Sequence, residues 1–256
     1  MATIVPQALR ALDRVADRIP LQPDRYGRGV FLLLFGVLGF TVLSYWSLGT
    51  FWDVPWYAGE DGVTEWATVA LLLASVVFSA VMARTLAGLG HRGLGLLFLA
   101  VAAGALLGTM EEISWGQRVF GWSTPKIVSS VNEQDETNLH NLVVVDRVVY
   151  TAILWGSLLA LAGSVVRAIL HHHGRVTTAD FLLPSLALSP ALFMMAMWTA
   201  KGGPLATVRT HLWSRPIGSE YPDLLFAVFL FLFTFANLQR ATALKQAGGP
   251  APRPVM

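Results

Sequence analysis

Trp66 to Ala83 reads WATVALLLASVVFSAVMA, eighteen residues bounded by Glu65 and Arg84 with no charge between them. A strand of a membrane barrel would need about ten residues of alternating polarity, and the run LLLASVV does not alternate. At about 1.5 Å rise per residue, roughly 20 apolar residues cross a hydrocarbon core of about 30 Å, so the stretch predicts a transmembrane helix. Five more charge-free windows read the same way: Gly29 to Trp52 (24 residues), Gly93 to Met110 (18), Val148 to Val166 (19), Phe181 to Ala200 (20) and Leu224 to Gln239 (16). The fold class is all-α, an integral membrane bundle of six transmembrane helices. The first window starts too late, runs too long and lacks the cleavage site of a signal peptide, so it reads as a retained helix.

Composition agrees. Of 256 residues, 54% are apolar and 13% charged, whereas a soluble domain carries about a quarter charged residues. With 18 basic and 16 acidic residues the chain is too balanced for a nucleic-acid binder. The absence of cysteine excludes disulfides, thiolate zinc sites, iron-sulfur clusters and a cysteine nucleophile. No Gly-rich nucleotide loop, G-x-S-x-G elbow, HExxH or haem-attachment motif is present. Any metal must therefore sit on His, Asp or Glu.

Six spans put alternate loops on opposite sides. One side carries twelve Lys and Arg against four acids, the other six against twelve. The positive-inside rule then places both termini in the cytoplasm and makes the outer face acidic. Residues 1–27 form a cytoplasmic segment in which LRALDRVADRI (Leu9 to Ile19) spaces its apolar residues as an amphipathic surface helix does. Residues 28–240 form the membrane domain. Residues 241–256, ending GGPAPRPVM, read as a disordered cytoplasmic tail. Pro184 and Pro190 predict kinks in the fifth span, and Met194, Met195 and Met197 read as packing.

The loop after the third span carries the chemistry. Met110 to Asn141 reads MEEISWGQRVFGWSTPKIVSSVNEQDETNLHN. Glu111 and Glu112 end an apolar helix, where a carboxylate costs several kcal/mol unless paired, protonated or cation-bound. On a continuous helix Glu111, Ser114, Trp115 and Arg118 share a face, while Glu112 points about 100 degrees away. Phe120-Gly121-Trp122 and Pro125 end that helix and lay aromatic rings at interface depth. Glu133, Glu136 and His140 share a face if their segment is helical. With the glutamates opposite they would form a carboxylate-histidine site for a divalent cation, with Glu112, Glu136 and His140 as ligands. The bland alternative is a polar turn capping the fourth span, with Asp135 and Thr137 as caps and Asn138 and Asn141 bonding backbone.

Glu111-Glu112-Ile113-Ser114-Trp115-Gly116-Gln117-Arg118, followed by Asn132-x-Gln134-x-Glu136-x-Asn138-Leu139-His140-Asn141, resembles the signature of a family of bacterial multi-pass membrane proteins. Glu60-Asp61-Gly62-x-x-Glu65-Trp66, which leads into the second span, is similar too. The resemblance implies a bacterial cytoplasmic membrane and no particular reaction, substrate or cofactor.

Other polar groups read more plainly. Asp53, Glu60, Asp61 and Glu65 lie among Trp52, Trp56, Tyr57 and Trp66 as solvated acids of an interfacial loop, or as carboxylates added to the Glu111 cluster. Lys201, Arg209, His211 and Arg215 balance the acidic face or recognise an anion. His171, His172 and His173 read as a solvated loop. Two functions remain open. One is a scaffold, accessory subunit or small-ligand or lipid binder, in contact with membrane lipids and with a protein partner or a second copy. The other is a membrane hydrolase or transferase acting on an amphiphile at the outer leaflet. There Glu111, Glu112 and His140 would be catalytic, and Arg118, Gln117, Trp115 and Asn138 would bind substrate.

Overall fold

A computed structural model of the chain describes residues 62–130, 132, 136–139, 142–171, 178–200 and 221–248. Among them the regular structure is helical, with one isolated antiparallel bridge between Asn132 and Leu142. The long helices are α1 (Val63–Gly88) and α2 (Arg92–Glu112). The single-turn helices α3 (Gln117–Phe120) and α4 (Lys126–Ser129) follow, then the long α5 (Val143–His171). A short α6 (Ala179–Leu182) precedes α7 (Ser189–Thr199), and α8 (Tyr221–Gly248) is the last. Five segments are long and apolar enough to cross a membrane: Val63–Gly88, Arg92–Glu112, Val148–Ala168, Ala179–Thr199 and Pro222–Gln246. They coincide with five of the six predicted windows, and the chain has the helices of a multi-pass membrane protein. The window at 29–52 and the amphipathic segment at 1–27 lie outside the described residues.

The spans pack as a row in which α1 lies between α2 and α8, and α7 lies between α8 and α5. A tight turn joins α1 to α2, with Gly90 at φ 89 and the His91 amide donating to the Leu86 carbonyl. The two helices touch backbone to side chain at Gly95, where a Cβ would come within 2.9 Å of the Ala83 carbonyl oxygen. Near this turn Met82, Leu86, Phe98, Phe181, Ala241 and Leu244 form one buried cluster. Leu72, Ala105, Ala227 and Leu230 form another, further along the same helices. The hydroxyls of Thr68, Ser75, Thr109, Thr199 and Thr234 each donate to the carbonyl four residues earlier, which satisfies them without water. Leucines and valines such as Leu73, Val77, Leu96, Leu99, Leu107 and Leu159 remain exposed, as lipid-facing residues are.

Two expectations need correction. The tail does not begin at residue 241: α8 continues to Gly248 because Ala241 and Leu244 are buried against α1 and α2. The fifth span is broken, where a kink was expected. α6 stops at Leu182, Leu183 is extended, and Pro184 has no N–H to continue the ladder; a 3₁₀ turn at Leu186–Leu188 then leads into α7. Pro190 sits in the first turn of α7, where a missing N–H costs nothing, and bends no helix. Broken backbone at membrane depth is tolerated only inside protein. Accordingly 67% of the apolar window in Ala179–Thr199 is buried, against 11% in Val148–Ala168. The carbonyls freed by the break find donors: Arg240 Nη1 reaches Asp180 O at 2.8 Å, Asn237 Nδ2 reaches Phe181 O at 3.3 Å and Arg167 Nη1 reaches Leu183 O at 3.1 Å. Met194, Met195 and Met197 are buried on α7.

Candidate functional site

The expected helix from Glu111 to Arg118 does not form. α2 ends at Glu112, and Ser114 (φ 48), Trp115 (φ 56) and Gly116 (φ 97) follow in three successive left-handed conformations. An L-residue pays about 1–2 kcal/mol for this geometry, so Ser114 and Trp115 must be held by other bonds. Gly116 has no alternative: its φ is positive, and a Cβ would stand 3.1 Å from the rings of both Phe120 and Trp122. Those rings stack with centroids 5.7 Å apart and are exposed.

The reversal turns Ser114 inward and sends Arg118 back across the end of α1. Arg118 meets two carboxylates there. Its Nη1 pairs with Glu65 in the first turn of α1, and its Nη2 pairs with Glu136 Oε1 at 2.5 Å. All three side chains are about nine-tenths buried. The other oxygen of Glu136 accepts Ser114 Oγ at 2.8 Å and Asn138 Nδ2 at 2.6 Å, and Asn138 Nδ2 also reaches Ser114 Oγ at 3.2 Å. Asn132 stands behind them: its Oδ1 accepts the Glu136 amide at 3.2 Å, and its Nδ2 donates to Asn138 O and Oδ1 at 3.0 and 2.9 Å.

Two further clasps close the loop. Glu111 accepts Trp115 Nε1 on one oxygen and the Leu139 amide on the other, both at 2.6 Å. Gln117 Oε1 accepts the amide and hydroxyl of Thr137 at 2.7 and 2.6 Å, while its Nε2 donates to Thr124 Oγ1 at 2.9 Å. Thr137 is thus a clasp to Gln117. Residues 136–139, Glu136 among them, are irregular rather than helical.

The structure therefore brings together Glu111, Trp115, Gln117, Arg118, Glu136 and Asn138, and leaves Glu112 half-buried at the last position of α2. Glu133, Asp135, His140 and Asn141 lie outside the described residues, as do Asp53, Glu60, Asp61, Lys201, Arg209, His211, Arg215, His172 and His173. Among the described residues no group of three or more His, Asp or Glu side chains is arranged to hold a metal ion. Sequence reasoning left Glu65 either as a solvated acid or as a carboxylate added to the Glu111 cluster, and it is the buried ion-pair partner of Arg118. The available signal was its position: it is the last acid before an apolar span and occupies the third residue of the helix, where a carboxylate also meets the positive end of the helix dipole. Asn132 was quoted in the motif without a role and Ser114 was placed on the Glu111 face, where serine chemistry stayed open; both are buried in the network. No protein-family model, curated protein or solved structure matches the chain.

Proposed function

We propose that the chain is a noncatalytic integral membrane protein, a scaffold or accessory subunit, whose acidic end is locked by a polar loop. One observation carries this reading: Glu111, Glu136, Arg118, Gln117 and Asn138, five of the polar residues that could serve chemistry, each bond within the loop or to α1. An active site keeps acceptors and donors turned toward an open cleft, whereas this set is turned toward itself. The aromatic pair Phe120–Trp122 and the exposed Val119 and Ile127 then form an outer surface suited to the membrane interface, to lipid or to a partner protein. The charge distribution across the loops supports a cytoplasmic location for both termini, and the motif resemblance supports a bacterial cytoplasmic membrane.

The test is a double-mutant cycle on Arg118→Ala and Glu136→Gln, read by unfolding of the detergent-purified protein. Coupled loss of stability, with the wild type carrying no stoichiometric metal, is the expected result. Stoichiometric metal that is lost in the Glu112→Gln, His140→Ala double variant would overturn the reading in favour of a metal-dependent hydrolase or transferase.

A further inference from the structure

At the opposite end of the bundle, α5, α6 and α8 bring two arginines to one aspartate. Arg167 and Asp180 are buried, and Arg167 Nε meets Asp180 Oδ1 at 3.1 Å. Arg240 is mostly buried and has no carboxylate of its own: its Nη1 bonds two neutral oxygens, Asp180 O at 2.8 Å and Asn237 Oδ1 at 2.5 Å. Capping the broken fifth span explains the Nη1 bonds. It does not explain why a second full positive charge is kept beside the Arg167–Asp180 pair, nor what the Nε–Nη2 edge of Arg240 does, since that edge makes no bond among the described residues. That edge is the one a guanidinium offers to a phosphate in bidentate fashion. Arg84, Arg92 and Lys245 add to the positive charge at this end, where Asp180 is the acid among the described residues.

We propose that Arg240, held in place by Asn237 and backed by the Arg167–Asp180 pair, binds a phosphate group, and that its source is the headgroup of an anionic phospholipid in the adjoining leaflet. The site lies toward the ends of the spans Val148–Ala168 and Pro222–Gln246, beside the mostly exposed α5, and in a bilayer those span ends meet the headgroups. Basic pockets between helices at the cytoplasmic surface are where anionic headgroups dock.

The experiment measures thermal unfolding of the full-length chain in detergent at low salt, with added phosphatidylglycerol, phosphatidylcholine or inorganic phosphate. Phosphatidylglycerol should raise the Tm by roughly 5 °C near saturation and phosphatidylcholine should not. Arg240→Gln should lose more than half of that rise, Arg240→Lys should keep part of it, and the exposed control Lys245→Gln should keep nearly all. An equal rise with inorganic phosphate would retain the phosphate site and overturn its assignment to lipid. Equal responses to the two lipids with none to phosphate, a full rise in Arg240→Gln, or an equal loss in Lys245→Gln would each overturn the proposal. Should Arg240→Gln fail to fold, native mass spectra of the wild type and Arg240→Lys decide: retained phosphatidylglycerol in the first and less in the second supports it, and no difference between them overturns it.

Discussion

Ser114 concentrates the question of what the loop is for. Its left-handed backbone, full burial and bond to the Glu136 carboxylate are what a strained nucleophile would show, and equally what a structural clasp would show. Two substitutions separate them. Ser114→Ala removes the hydroxyl and keeps a Cβ at positive φ, leaving Glu136 and Asn138 short of a partner, so it should destabilise by about 1–3 kcal/mol. Ser114→Gly removes the same hydroxyl but relieves the backbone, and should be milder than Ala by about 1 kcal/mol. A structural clasp gives that order in unfolding titrations, with function tracking stability; a nucleophile gives equal, complete loss of activity in both. Arg118→Ala is harsher, because it leaves Glu65 and Glu136 facing each other under cover, and should lower stability by about 3–5 kcal/mol in the same titration. At this scale the sequence marked the loop and most of its members, since Glu111, Gln117, Arg118, Glu136 and Asn138 stand out against apolar flanks. It put Glu111, Ser114, Trp115 and Arg118 on one helical face, because helical spacing was extended across Ser114 and Trp115, whose left-handed backbone no propensity announces.

Helices were legible wherever a charge-free run approached the thickness of a bilayer, because the requirement that lipid places on backbone polar groups leaves one solution. Their interruptions were less legible. Pro184 and Pro190 are the same residue type six positions apart, yet one ends a helix and the other starts one; the difference lies in Arg167, Asn237 and Arg240, which come from α5 and α8 and cap the freed carbonyls. The end of α8 was misjudged for a related reason, since Ala241 and Leu244 are ordered by contacts with α1 and α2 rather than by local sequence. Helix pairing gives its own prediction. Gly95 lets α2 approach the Ala83 carbonyl, whereas Gly104 on the same helix has nothing within 4 Å of where its Cβ would be. Gly95→Val should therefore separate α1 from α2 and destabilise by about 1–3 kcal/mol. Gly104→Val should change stability by less than about 0.5 kcal/mol, the value of an uninvolved surface site. Equal effects of the two would mean that α1 and α2 do not meet as described.

Across the whole molecule the two ends carry opposite polar designs. At one end two carboxylates share Arg118; at the other Arg167 pairs with the Asp180 carboxylate while Arg240 bonds the Asp180 carbonyl. This matches the count of loop charges, and a helix row with such a bias should settle in a membrane with its arginine-rich end toward the cytoplasm. Because the chain has no cysteine, orientation can be read without first removing any. Ser130→Cys places one exposed thiol on the loop between α2 and α5, and Lys245→Cys places one near the end of α8, on the other side of the bundle. In intact cells a membrane-impermeant maleimide should label Ser130→Cys and leave Lys245→Cys untouched until the membrane is opened. The reverse pattern would invert the orientation, and with it the leaflet from which Arg240 draws its phosphate. Labelling of both positions in intact cells would mean that the described helices do not separate these two residues by a bilayer.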